Sequence, residues 1–186
     1  MSKDTIQFRV ATTDDAPQLQ GMVQSAFRAV DVRQNWTADM ELNARFRIDT
    51  QEIVDKITNP DSAILIATDV DDAAMACCQV VKRNADLARF AMFAVDQQYQ
   101  RRGLGRYILA YVEDYCRQTL GARRLDLDAL STREELIAWY ERCGYVKTGE
   151  TTPFPYERIQ GIALAEGLRF IILEKDLIAD SEVKAV

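Results

Sequence analysis

Between residues 85 and 116 the chain changes its period. ADLARFAMFAVD reads as a buried strand, QQYQRRGLG interrupts it, and RYILAYVEDYC resumes with apolar residues at steps of three and four. A strand that passes through a Gly-x-Gly turn into a helix narrows the choice of fold, because that helix must pack its apolar stripe back onto a sheet. Leu104, Ile108, Val112 and Tyr115 make the stripe. The first N–H groups of such a helix have no partners within it, so the turn also raises a chemical question: what occupies them?

The flanking segments supply the rest of the sheet. IQFRV (6–10) reads as a strand, and Thr13 or Asp14 is placed to cap a helix with Pro17 in its first turn, running to about Phe27. The polar stretch from Val32 to Asp61 keeps a helical period and reads as one or two short helices ending before Pro60. SAILIATD (62–69), AMACCQVVKR (74–83) and ADLARFAMFAVD (85–96) are three successive strands. RRLDLDAL (123–130) is a strand, TREELIAWYERC (132–143) a helix stopped by Gly144, and YVKTGE (145–150) a strand. A loop with Pro-Phe-Pro at 153–155 leads to the last strand, GLRFIILEKDL (167–177). Adjacent strands pair antiparallel and strand-helix-strand steps give parallel neighbours, so the expected fold is α/β (α+β) with a mixed sheet flanked by helices.

With 186 residues, 48% of them hydrophobic, the chain suits one core better than two, and a single domain over residues 1–177 with a frayed tail at 178–186 is expected. The polar start MSKDTIQF lacks signal-peptide character and no apolar run reaches the roughly 18 residues of a membrane span, which points to a soluble, cytoplasmic protein. The absence of histidine excludes Ser-His-Asp and Cys-His catalysis and the H-E-x-x-H zinc site. Cys77, Cys78, Cys116 and Cys143 form no C-x-x-C pair and read as core thiols, so no metal is expected. A net charge of −6 argues against a nucleic-acid partner.

The Gly-x-Gly turn satisfies neither the P-loop pattern nor the dinucleotide fingerprint, whose third glycine is replaced by Ile108. What remains is a helix start that suits an anion, with Arg101, Arg102 and Arg106 beside it. Cations there oppose the helix dipole, which is unfavourable unless an anion binds.

Gln100-Arg101-Arg102-Gly103-Leu104-Gly105 resembles the Q/R-x-x-G-x-G/A signature of the GNAT (Gcn5-related) N-acetyltransferases. The preceding FAVDQQY and the downstream AWYERCGY (138–145) are similar to segments at the same spacing in that family, and the resemblance covers roughly residues 6–177. It implies a sheet of six or seven strands with splayed central strands, and acetyl-CoA as co-substrate. Backbone N–H groups of Arg101 to Arg106, including Gly103, Leu104 and Gly105, would hold the CoA pyrophosphate. Phe93, Ala94 and Val95 would pair with the pantetheine arm, and a bulge in their strand would present an N–H to the thioester carbonyl. Tyr140 matches the family's general acid, although its place on a stripe with Leu136 and Cys143 also suits a core aromatic.

Two positions depart from the family pattern. Arg89 stands where many relatives have a basic glutamate, which leaves Asp128, on one strand face with Asp126, as the candidate base, beside a water or an amine that arrives neutral. Arg133 replaces an asparagine that contacts CoA in relatives. By the same resemblance, Phe27, Arg28, Trp36, Arg47, Phe154 and Tyr156 are candidates to meet the acceptor. An arginine in the site would favour a carboxylate-bearing acceptor, whereas the acidic chain favours a cationic amine. The expected activity is transfer of acetyl to a small-molecule primary amine, with no nucleic-acid or membrane partner and a homodimer as the expected assembly. The alternatives are a protein or peptide N-acetyltransferase, and a non-catalytic CoA-binding module.

Overall fold

The structure, a computed structural model, describes residues 6–29, 40–100, 103–156 and 166–178. In chain order the elements are β1 Gln7–Val10, α1 Ala16–Arg28, α2 Met40–Arg45, α3 Thr50–Thr58, β2 Ser62–Thr68, β3 Ala74–Lys82 and β4 Leu87–Val95. There follow α4 Leu104–Gln118, β5 Arg124–Leu130, α5 Glu134–Arg142, β6 Val146–Pro153 and β7 Arg169–Asp176. The strands form one seven-stranded mixed sheet, hydrogen-bonded in the order β1-β2-β3-β4-β5-β7-β6, and helices flank it.

The chain gathers into two compact units, one of Met1–Phe27, Arg47–Leu125 and Asp176–Val186, the other of Arg28–Phe46 and Asp126–Lys175. In the first, β1 to β4 make an antiparallel meander in which Phe8 pairs with Ala67, Leu65 with Cys78 and Val80 with Phe90. Seven consecutive buried residues from Ala74 to Val80 show β3 covered on both faces. Leu19, Val23, Ile53, Leu104, Ile108, Leu109 and Val112 supply the helices' buried side chains. Tyr115, expected on the α4 stripe, is only half-buried, and Cys116 completes the buried face one residue later. Cys77, Cys78 and Cys116 are core thiols, and burial pushes Cys77 and Cys116 up to about 12, far from nucleophilic thiolates.

The entry to α1 differs in detail from the sequence reading. Thr12, rather than Thr13 or Asp14, is the N-cap, and it opens a single 3-10 turn at Thr13–Asp15 that leads into the helix. Asp15 reaches back to the Thr12 N–H at 2.7 Å and also forks onto the Arg9 guanidinium at 2.7 and 2.8 Å. One carboxylate therefore joins β1 to the helix entry.

In the second unit β6 pairs antiparallel with β7, and the strand runs past the expected residue 150 to Pro153. A proline is tolerated there because β6 ends the strand order and an edge strand has donors it need not use. Leu130, Phe154 and Leu168 form a buried cluster joined by Leu42 and Phe170.

Candidate functional site

The strand leading to the glycine turn is not regular. Cys77 pairs with Ala94 but Gln79 pairs with Ala91, so Met92 and Phe93 together oppose the single residue Cys78. This is a β-bulge, and Met92 at its centre has φ +50°, a left-handed conformation that a non-glycine residue adopts at a cost of about 1–2 kcal/mol. Beyond the bulge, Ala94 is buried and Phe93 and Val95 are half-buried. The backbone that the sequence assigned to the pantetheine arm is thus the stretch the bulge re-aims.

The loop after β4 is tied down by its own side chains. Asp96 accepts from the Gln98 N–H at 2.9 Å and starts a 3-10 turn at Gln97–Tyr99. Gln100, the signature glutamine, donates its side-chain amide to the Val95 carbonyl at 3.0 Å, which folds the loop back on the strand end. Arg101 and Arg102 lie outside the described residues. Gly103 then takes φ +75° as the N-cap of α4, with no side-chain cap and, among the described residues, nothing within 4 Å of where a Cβ would stand.

The contrast with other helix starts is informative. At α3 the Asp49 carboxylate caps the Glu52 N–H at 2.8 Å in a capping box, and α5 has Glu134 and Glu135 in its first turn. The first turn of α4, Leu104, Gly105 and Arg106, has neither a side-chain cap nor an acidic residue, and Arg106 is exposed. Such a helix start presents partial positive charge and a side-chain cation to one anion. An open pocket of about 330 Å³ lies beside the loop, lined by Met22, Ser25 and Ala26 of α1 and by Asp96, Gln97 and Gln98.

In the second unit Tyr140 is 5% exposed on α5. Its ring meets Trp139 edge-on at 4.9 Å and Tyr145 at 5.8 Å. Asp128 is exposed on β5 while Asp126, on the same strand face, is buried. Arg133 is half-buried at the N-cap of α5, where it makes no side-chain cap. Arg89 is half-buried in β4 opposite Val81.

Of the acceptor candidates, Phe27 and Arg28 end α1, and the Arg28 Nε donates to the Phe46 carbonyl at 2.8 Å. Arg47 is exposed, and Trp36 lies outside the described residues. Phe154 sits in the buried cluster, with the Tyr156 ring at 5.1 Å and the Phe170 ring at 5.9 Å. The Tyr156 hydroxyl accepts from the Leu168 N–H at 2.7 Å. Phe154 is 7% exposed, whereas Tyr156 is 39% exposed. Sequence reasoning did not single out Met92, Tyr145 or Lys175. Of these only Tyr145 had a signal, the Gly144 that stops α5 beside it.

The sequence model of the acetyltransferase (GNAT) family matches residues 30–145. No curated protein sequence matches the chain. Among solved structures, the spermidine/spermine N-acetyltransferase of Vibrio cholerae crystallised with manganese ions is similar with a TM-score of 0.67 at 11% identity, over 96% of each chain. The spermidine N-acetyltransferase of Vibrio cholerae in complex with CoA and spermine gives 0.68 at 11% identity, over 95% of this chain and 98% of that one. Its dodecameric form in an intermediate state gives 0.67 at 13%, over 94% and 95%. At these identities the likeness concerns the fold.

Proposed function

Because the chain belongs to the GNAT acetyltransferase family, we propose that it transfers acetyl from acetyl-CoA to the primary amine of a small molecule by direct attack on the thioester. The observation that carries this reading is the start of α4: a helix N-terminus with no side-chain cap behind a left-handed glycine whose Cβ position meets no described residue. A diphosphate matches that chemistry, since the positive end of a helix dipole with an exposed arginine in its first turn favours an anion. Acetyl-CoA, when bound, supplies an activated acyl group and a thiolate leaving group. Among the described residues, the backbone N–H groups of Gly103 to Arg106 suit the pyrophosphate and the bulged strand at Phe93, Ala94 and Val95 suits the arm, with Gln100 holding the loop; Arg101 and Arg102, outside the described residues, are assigned to the same pyrophosphate by the family signature.

Two protons must move. Tyr140 donates one to the leaving thiolate, a task for which a phenol of intrinsic pKa near 10 is protonated at neutral pH. The attacking nitrogen loses the other as it becomes an amide, to Asp128, whose exposed carboxylate can receive it directly or through water, or to solvent water; an acceptor that does not arrive already neutral first sheds its extra proton by the same route. Arg133 assists CoA binding at the start of α5.

For the acceptor we favour a cationic amine. The net charge of −6 supports it, and the Arg28 guanidinium already spends its Nε on the Phe46 carbonyl rather than waiting for a carboxylate. Polyamines, the substrates named for the similar Vibrio cholerae enzymes, are the first to test. Residues 1–177 act as one functional domain in a cytoplasmic enzyme, and self-association, at least to a homodimer, is the assembly we expect. The test is release of free thiol from acetyl-CoA over a panel of polyamines, amino acids, amino sugars and peptides. Thiol release with a small amine supports the proposal, release with peptides alone favours the protein-acetylating alternative, and CoA binding without release on any of them favours a non-catalytic module.

A further inference from the structure

The carboxyl end of α5 is held by a residue far away in sequence. Lys175, half-buried on β7, donates its ammonium to the Cys143 carbonyl at 3.1 Å, just past the last turn of α5. A cation there also opposes the negative end of the helix dipole. The lysine stem lies over Gly144: a Cβ at that position, where φ is +92°, would stand 3.3 Å from Lys175 Cε. The ammonium is also 5.9 Å from the centre of the Tyr145 ring, within reach of a cation–π attraction.

These contacts converge on Tyr140. Its carbonyl accepts from the Cys143 N–H at 2.9 Å and from the Tyr145 N–H at 3.1 Å. Its ring meets the Tyr145 ring at 5.8 Å, and Tyr145 is 1% exposed. Both the backbone and the ring of Tyr140 are therefore bounded by groups that Lys175 touches.

We infer that Lys175 is a positioning residue: by clamping the Cys143 carbonyl and the Tyr145 ring, it fixes the orientation of the Tyr140 side chain. The inference rests, for its catalytic consequence, on the proposed role of Tyr140 as the acid. The physical reason is that a phenol transferring a proton must be held to a fraction of an ångström, and a ring packed edge-on against another ring follows that ring when it tilts.

The test uses the 186-residue chain with its seven tyrosines carrying ring 13C labels, each signal assigned from a Tyr→Phe variant. Lys175→Met keeps the stem and loses the ammonium; Lys175→Arg keeps a cation and donors. The inference expects Lys175→Met to displace or broaden the Tyr140 and Tyr145 ring signals, Lys175→Arg to restore them, and Tyr111, stacked on Phe8 in the other unit, to stay unmoved. On the best amine of the panel, Lys175→Met should lower kcat on the order of tenfold while KM for acetyl-CoA changes less than twofold. If Lys175→Met lowers the melting temperature but leaves the Tyr140 signal in place, the inference is wrong. Should Lys175→Met fail to fold, Lys175→Gln answers the same question. Full activity of Tyr140→Phe would remove the acid role, and the ring signals would still decide whether the clamp exists.

Discussion

At the start of α4, Gly103 has φ +75° and nothing within 4 Å of its Cβ direction; at the end of α5, Gly144 has φ +92° and the Lys175 side chain 3.3 Å away. Both glycines permit a backbone that other residues rarely adopt, but the space each leaves is put to different use. At Gly144 the protein fills the space itself and satisfies the terminal carbonyl with its own lysine. At Gly103 no described residue fills that space, beside a helix start that no side chain caps. An open glycine at an uncapped helix start invites a ligand, and a filled one makes a joint.

The two bulges repeat the contrast. In β6 three residues between Lys147 and Thr151 oppose Ile172 alone, the left-handed position is Gly149, and the whole strand is exposed. There a bulge is cheap and discourages edge pairing. In β4 the left-handed position is Met92, with buried β3 alongside, so the strain persists because its surroundings impose it. Strain retained where glycine would remove it points to a backbone position that matters for function.

Four experiments test this contrast. The largest effect is expected at the joint, where Tyr140→Phe should lose about 10² to 10⁴ in kcat with CoA binding retained. A loss of about 1 kcal/mol of stability with kcat intact would make the hydroxyl purely structural. Next, Met92→Val and Gly149→Val should each destabilise by about 1–3 kcal/mol in chemical denaturation, because a β-branched residue fits a left-handed position poorly. Met92→Val alone should also cut kcat/KM, on the order of tenfold; equal kinetics for the pair would erase the distinction between the bulges. Then Gly103→Ala should weaken CoA binding by on the order of tenfold, and Gly144→Ala should lower the melting temperature with little change in Kd, each strained by about 1 kcal/mol in its backbone.

The smallest effect belongs to the Arg9–Asp15 fork, which holds structure and touches neither glycine. The Arg9 hydrogen bond lowers Asp15 to about 2, against an ordinary value near 3.8. Because the folded pKa is depressed, the stabilisation is present above about pH 4 and disappears as pH falls through about 2. With Arg9 35% exposed, solvent screening limits it, and Asp15→Asn should cost about 1 kcal/mol at neutral pH. That difference should close between pH 4 and pH 2 in urea titrations, with kcat unchanged.

Much of this molecule is legible in its residues. The runs from Ser62 to Val95 declare three strands through apolar content and turn residues, and the stripe from Leu104 to Val112 declares α4. The glycine turn and Tyr140 are legible as local motifs. The bulge at Met92 is not, because LARFAMFAV carries no glycine or proline there and the irregularity comes from pairing with β3. The Lys175 clamp joins residues 32 apart in sequence, and no local pattern signals it. Phe154 reads equally well as a contact or as core until Leu130 and Leu168 are seen beside it.

The central claim is that the turn from Gln100 to Arg106 grips the diphosphate of CoA. Titration of CoA into the 186-residue chain by calorimetry, at two temperatures so that a vanishing enthalpy at one is not mistaken for no binding, tests it directly. The account predicts saturable binding at a single site that Gly103→Ala weakens; no heat at either temperature, or binding indifferent to that substitution, would contradict it.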